Sequence, residues 1–179
     1  MKRIAGLFSH LALALLAAGA VVLALGLIAP RMPAPPPPLT GPVDRIEVVK
    51  SDRRMTLFVG DLPVRSYAIA LGFDPEGHKQ AQGDGRTPEG RFHIDRRNPQ
   101  SGYHLSLGLN YPRPEDRARA ARAGVNPGGD IFIHGQPPGI PQDRRLGHDW
   151  TAGCIALSNA EMDELWRVVP LGTPVDILP

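Results

Sequence analysis

The chain has 179 residues, 42% of them apolar and 21% charged, with 20 glycines, 20 prolines and one cysteine, which suits one domain of ordinary size. Its formal charge is +2, but residues 1–40 carry Lys2, Arg3 and Arg31 with no acid, and the remaining 17 of the 20 Lys and Arg face 18 Asp and Glu. A folded part this close to neutral offers no nucleic-acid footprint, and one cysteine excludes a disulfide framework or a multi-cysteine metal site.

Met1-Lys2-Arg3 opens positive, and the 19 residues from Leu11 to Ala29 carry no charge and no hydrogen-bonding side chain. In a helix such a run spans roughly 28 Å, close to the hydrocarbon core of a bilayer. Residues 1–30 therefore read either as a cleaved signal peptide, with Ala18-Gly19-Ala20 as the cleavage site, or as an inner-membrane anchor formed by residues 11–29. The run continues well past Ala20, which favours the anchor. On both readings the rest of the chain is exported to the periplasm or cell envelope. Residues 31–42 are proline-rich, block helix and ladder alike, and form a semi-rigid spacer on the order of 30 Å long.

Residues 43–179 read as one β-dominated domain. Val43–Lys50, Met55–Val59 and Val64–Leu71 mix apolar and polar positions as half-buried strands do, and Gly60-Asp61-Leu62-Pro63 marks a hairpin turn between the last two. Gln82–Gly90 is rich in glycine and matches neither a Walker loop nor a dinucleotide fingerprint. Phe92–Asp95, Tyr103–Leu109, Asp130–His134 and Val175–Leu178 read as further strands, with His93 and His104 on exposed faces. Two short helices are expected. Pro114–Gly124 has acids in its first turn and glycine at its end, and Ser158–Val169 has a serine cap and apolar Met162, Leu165, Trp166 and Val169 at helical spacing.

Cys154, in Asp149-Trp-Thr-Ala-Gly-Cys154, is the candidate nucleophile. A thiol attacks only as thiolate and needs a base, and Gly153 would let a substrate carbonyl approach the backbone. Read as structure alone, Cys154 is a small buried hydrophobe. An unpaired thiol in an exported protein is an oxidation liability, however, which argues for a use. His134 ends an apolar strand at a loop mouth, where a general base would stand, although a satisfied structural histidine fits equally well there. A zinc site from His134, His148 and Cys154 lacks paired ligand spacing, so no metal is assigned. Arg86, Arg144 and Arg145 flank the motifs in loops and could hold carboxylates, or be ordinary surface arginines. Trp150 either walls the cleft or fills core.

His134-Gly135 followed by Thr151-Ala152-Gly153-Cys154, with Gln82-Gly-Asp-Gly-Arg-Thr-Pro-Glu-Gly90 upstream, resembles the L,D-transpeptidase catalytic domain of YkuD type. The likeness covers roughly Val43 to Leu178. It implies a compact β-sandwich or mixed-sheet domain with Cys154 as nucleophile, His134 as base and the Gly135 carbonyl orienting the imidazole. Thr151, Gly153, Trp150 and Arg144 would then contact substrate, with neither metal nor cofactor required. The sequence departs from the usual motif at Ala152, where most members carry a second histidine, and at Ala156. The histidine-to-cysteine spacing is long, and Trp-Thr-Ala-Gly-Cys is similar to one subgroup.

The implied partner is the peptidoglycan stem peptide. Cys154 would attack the carbonyl of its third residue, a diamino acid, and expel the terminal D-alanine. An amine acceptor then gives a 3→3 cross-link or a protein attachment. Water in its place gives an L,D-carboxypeptidase, or an amidase that detaches a wall-bound protein where the thioester arises from a protein–peptide bond. A non-catalytic wall-binding module is the alternative from another class. Carbapenems, which acylate this family, are the implied probe.

Overall fold

The computed structural model describes residues 36–179; the anchor or signal reading of residues 1–30 and the spacer up to residue 35 lie outside the described residues. Strands β1 (Arg45–Val49) and β2 (Arg54–Val59) pair antiparallel, and β2 pairs in turn with β3 (Leu62–Ala68). That pairing is the hairpin expected around Gly60. The chain continues through β4 (Gly90–Ser101), β5 (His104–Leu109), α1 (Pro114–Ala123), β6 (Phe132–His134), β7 (Ile155–Ala156), α2 (Asn159–Val168) and β8 (Pro174–Leu178). All eight strands join one mixed sheet in the order β3-β2-β1-β8-β4-β5-β6-β7, with β1–β8 and β6–β7 parallel. The domain is mainly β with two short helices, as the sequence implies.

The twelve-residue β4 is the corner of this sheet. Its first four residues pair with β8, and from Ile94 onward it pairs with β5, with a register shift between Ile94 and Arg96. Beyond that corner the two faces of the sheet do different things. Arg97, Leu107, Ile133 and Ile155 form one cross-strand row on the core face. Leu107, Ile133 and Ile155 are fully buried there, each worth about 1.5–3 kcal/mol of burial. Helix α2 packs against β5 and buries Met162, Leu165 and Val168. Arg97 stacks over the Trp166 ring at 4.0 Å and donates to the Trp166 carbonyl. The opposite face carries the next residues along each strand, with Arg96 and Phe132 half-buried and Ser106, Gly108, His134 and Ala156 buried.

Both helices start and stop as expected. Ser158 Oγ accepts the Glu161 amide at 3.3 Å while Glu161 Oε2 accepts the Ser158 amide at 2.9 Å, a complete capping box. In α1 the Asp116 carboxylate accepts the Arg113 amide at 3.0 Å.

Three local expectations are corrected. Strand β4 runs to Ser101 because its polar residues Arg96, Arg97 and Asn98 serve the sheet with their side chains, which hides the strand pattern. Strand β3 stops at Ala68, and the expected run to Leu71 instead crosses the molecule, where Ala70 bridges to Ala156 and Gly72 to Thr151. His93 is exposed, but His104 is half-buried with φ +67°, its Nε2 2.7 Å from Asp163 Oδ1 on α2.

Candidate active site

Strand β6 places half-buried Phe132 and buried His134 on the face opposite the core and turns Ile133 into the core. His134 Nδ1 lies 2.7 Å from the Gly135 carbonyl oxygen. A carbonyl only accepts, so Nδ1 carries the proton and Nε2 keeps a lone pair. Position 135 admits no side chain: a Cβ there would stand 2.4 Å from Asn159 Oδ1 and 3.0 Å from the Tyr103 carbonyl oxygen. The imidazole joins Tyr103 and Trp150 in a three-ring cluster, 4.9 Å from Tyr103 and 5.6 Å from Trp150 between ring centres, with Tyr103 and Trp150 5.6 Å apart. Burial pushes its pKa below the ordinary histidine value, against the pull of the Gly135 carbonyl, so the ring is neutral at pH 7.

Cys154 is held by the turn that precedes β7. Asp149 Oδ1 accepts the Leu71 amide at 2.8 Å, and its Oδ2 takes Arg53 Nε at 3.0 Å. Thr151 Oγ1 donates to the Cys154 carbonyl at 2.7 Å and accepts the Gly153 amide at 3.1 Å. Gly153 has φ +134°, and a Cβ there would meet the Arg86 carbonyl oxygen at 2.6 Å, so only glycine fits. The thiol lies 3.4 Å from both the Phe132 amide, which donates to it, and the Asp130 carbonyl, which it can donate to. Burial pushes the Cys154 pKa up, opposed by the Phe132 amide, and the resting thiol is protonated.

Strand pairing brings these groups together. Arg96, Gly108 and Phe132 form one cross-strand row that ends beside Cys154, and Asn98, Ser106, His134 and Ala156 form the next. The rows floor a cleft of about 260 Å³ whose walls include Tyr103, Phe132, His134 and Cys154. A second cleft of about 320 Å³, lined by Lys79, Gln82, Gly128 and Ala152 among others, reaches the same thiol, and Asp130 and Cys154 border both. A separate cavity of about 370 Å³ between Lys50, Glu76 and Pro179 contains neither His134 nor Cys154.

A neutral base on β6 and a protonated thiol in the turn that leads into β7, at the meeting of two clefts, suit acyl transfer through sulfur. The family profile of the L,D-transpeptidase catalytic domain, YkuD, matches residues 43–177. The chain belongs to that family. YafK of Escherichia coli K12, which bears the L,D-transpeptidase name provisionally, is 29% identical over 130 residues, covering 69% of this chain and 46% of YafK. The helical cell shape determining protein Pgp2 of Campylobacter jejuni superposes with a TM-score of 0.59 at 27% identity, over 75% of this chain and 47% of Pgp2. Bd1075 of Bdellovibrio bacteriovorus gives 0.55 at 25%, over 77% and 48%. The chain thus spans a little under half the length of these relatives.

Within this L,D-transpeptidase domain, six of the residues singled out from sequence stand together: Cys154, His134, Gly135, Thr151, Gly153 and Trp150. Arg144 does not join them; it is exposed in the loop after Gln136 and does not line either cleft. Arg145 donates to the Ala68 carbonyl at 2.8 Å and Arg86 pairs with Asp74 at 3.2 Å, while the Arg86 carbonyl backs Gly153. His148 is exposed. Ala152, in place of the usual histidine, lines the second cleft and leaves it open.

Sequence reasoning missed Tyr103, Arg96, Gly108, Asp130 and Lys79. Only Asp130 had a signal, because it heads the apolar strand that ends at His134.

Proposed function

We propose that this domain is a cysteine acyl transferase acting on peptidoglycan stem peptides through a thioester on Cys154, with His134 as base. The observation that carries the reading is a half-buried thiol and an imidazole whose Nδ1–H is committed to the Gly135 carbonyl, both lining one cleft. Nε2 is left to take the thiol proton as sulfur attacks the carbonyl carbon of the third stem residue. The Gly153 amide is already engaged by Thr151, so the Cys154 amide is the candidate donor to the oxyanion. The carbon–nitrogen bond to the terminal residue then breaks, and His134 returns the proton to the departing amine.

An acceptor amine next attacks the thioester, gives its proton to Nε2 and restores the thiol. Two clefts meeting at one sulfur support an amine acceptor over water, because one can take the reacting end of the donor and the other that of the acceptor. The neutral resting pair also suits an oxidising compartment, since a protonated thiol resists oxidation until substrate arrives. Action at the cell envelope, with residues 11–29 as an inner-membrane anchor, belongs to this proposal and rests on the leader sequence.

Mass analysis of products from purified disaccharide tetrapeptides tests the reading. Cross-linked dimers lacking one terminal residue, absent with Cys154→Ala, support the transferase. Tripeptides without dimers would assign hydrolysis. Binding without any product would assign the wall-binding module.

A further inference from the structure

The charged groups at the lip of the thiol cleft are arranged with unusual care. Arg96 starts on β4, one strand beyond β5, yet its guanidinium sits 4.5 Å from the centre of the Phe132 ring on β6. It crosses β5 through space that only glycine leaves free, since a Cβ on Gly108 would stand 2.5 Å from Arg96 Cγ. Asp95 grips Nη1 at 2.9 and 3.1 Å, which fixes the guanidinium plane and balances its charge. Nη2 donates to Asp130 Oδ1 at 3.2 Å, and Nε has no acceptor among the described residues. Asp130 itself has φ +54°, a costly conformation for a residue other than glycine, and its side chain is 89% exposed. It borders both clefts, and its own carbonyl receives the Cys154 thiol.

This lip offers a fork of N–H groups beside a surplus carboxylate. A lone carboxylate would gain Arg96 but face Asp130 and Asp95. A lone ammonium would gain Asp130 but face Arg96. A group bearing both charges on one carbon satisfies the two partners together, taking Nε and Nη2 side-on and replacing Arg96 on Asp130. We propose that Arg96 and Asp130 are the specificity pair for the zwitterionic end of the substrate's diamino acid, the carboxylate on Arg96 and the ammonium on Asp130. This rests on the stem-peptide reading above and adds the two side chains that would recognise that diamino acid. The guanidinium stands over Phe132, whose strand neighbours the segment that carries Cys154, with about 4.8 Å between neighbouring strands. The three methylenes between the attacked carbonyl's α-carbon and the distal zwitterion of 2,6-diaminopimelate bridge such a gap.

The test is binding to the Cys154→Ala protein, which cannot turn over, measured by calorimetry with three tetrapeptides. One carries 2,6-diaminopimelate at position three, one carries lysine and so lacks the distal carboxylate, and one carries diaminopimelate with its distal amine acetylated. The diaminopimelyl peptide should bind at least about tenfold tighter than either of the others. Arg96→Gln should weaken the diaminopimelyl and acetylated peptides about tenfold and leave the lysyl peptide within twofold. Asp130→Asn should weaken the diaminopimelyl and lysyl peptides and spare the acetylated one. Arg96→Lys, which keeps the charge without the fork, should fall between the parent and Arg96→Gln. Equal affinities for the three peptides, or variants that weaken all three alike, would overturn the assignment, and the first of these needs no substituted lip. Discrimination by the Cys154→Ala protein with no thioester on the parent enzyme would instead sink the transferase reading and leave this pair standing.

Discussion

Thr151 Oγ1 donates to the carbonyl oxygen of Cys154 at 2.7 Å and accepts the Gly153 amide at 3.1 Å. One hydroxyl thereby closes the turn that carries the thiol, which explains why a threonine precedes the Ala-Gly-Cys motif. Thr151→Val keeps the shape and removes both bonds, worth about 1–3 kcal/mol together. Acylation of Cys154 should slow about tenfold or more, and Thr151→Ser should restore most of it. A valine variant acylated at the parent rate would show that the turn is held by other means.

The imidazole and thiol set a pH dependence. His134 is held below 6.5 by burial and Cys154 above 9.0, so the active form is neutral base plus protonated thiol. Acylation should stay level from neutral pH down to about 6.5 and then fall as His134 takes a proton. His134→Ala should cost roughly 100-fold or more and abolish that acid limb. Stopped-flow acylation across pH reads both, and an acid limb centred above 6.5 would contradict the neutral-base account.

Gly153 is a backbone requirement. Gly153→Ala adds a Cβ 2.6 Å from the Arg86 carbonyl oxygen at φ +134°, so the chain must move or strain. The strained conformation alone costs about 1–3 kcal/mol, and the contact adds to it. A lowered Tm together with lost acylation is expected in thermal unfolding and labelling. An alanine variant as stable as the parent would show that the turn relaxes freely.

Acid stability should trace to Asp84. Burial alone would raise its pKa, but Lys79 Nζ at 2.7 Å and the amides of Ala81, Arg86 and Gln80 outweigh this and hold the carboxyl at about 2 instead of 3.8. A folded-state pKa below the unfolded one gives stability that is present above about pH 4 and lost as pH falls toward 2. Asp84→Asn should be less stable than the parent at pH 6 and converge with it near pH 2 in denaturant titrations. A constant difference across that range would refute the linkage.

Much of the site was readable because its key residues lie on short local motifs. His134 closes an apolar run, Gly135 and Gly153 flank the chemistry, and Ser158 announces α2. Strand β7 is two residues long and carries no period to read. The groups that complete the cleft arrive by strand pairing instead. Nothing near Arg96 in sequence says that Gly108 will lie beside it, or that Phe132 will lie beyond. Tyr103 reaches His134 from a hairpin tip for the same reason. Arg144 illustrates the opposite case, adjacent to the motif along the chain and exposed in its loop away from both clefts.

The central claim is that Cys154 carries the acyl group. Intact-protein mass spectrometry after incubation with a carbapenem, and separately with a disaccharide tetrapeptide, tests it most directly. The account predicts one adduct per chain with each, the peptide adduct adding the mass of the peptide less that of the free terminal amino acid it expels, and neither on Cys154→Ala. No adduct on the parent protein under conditions where another family member is acylated, or an adduct that persists in Cys154→Ala, would contradict it.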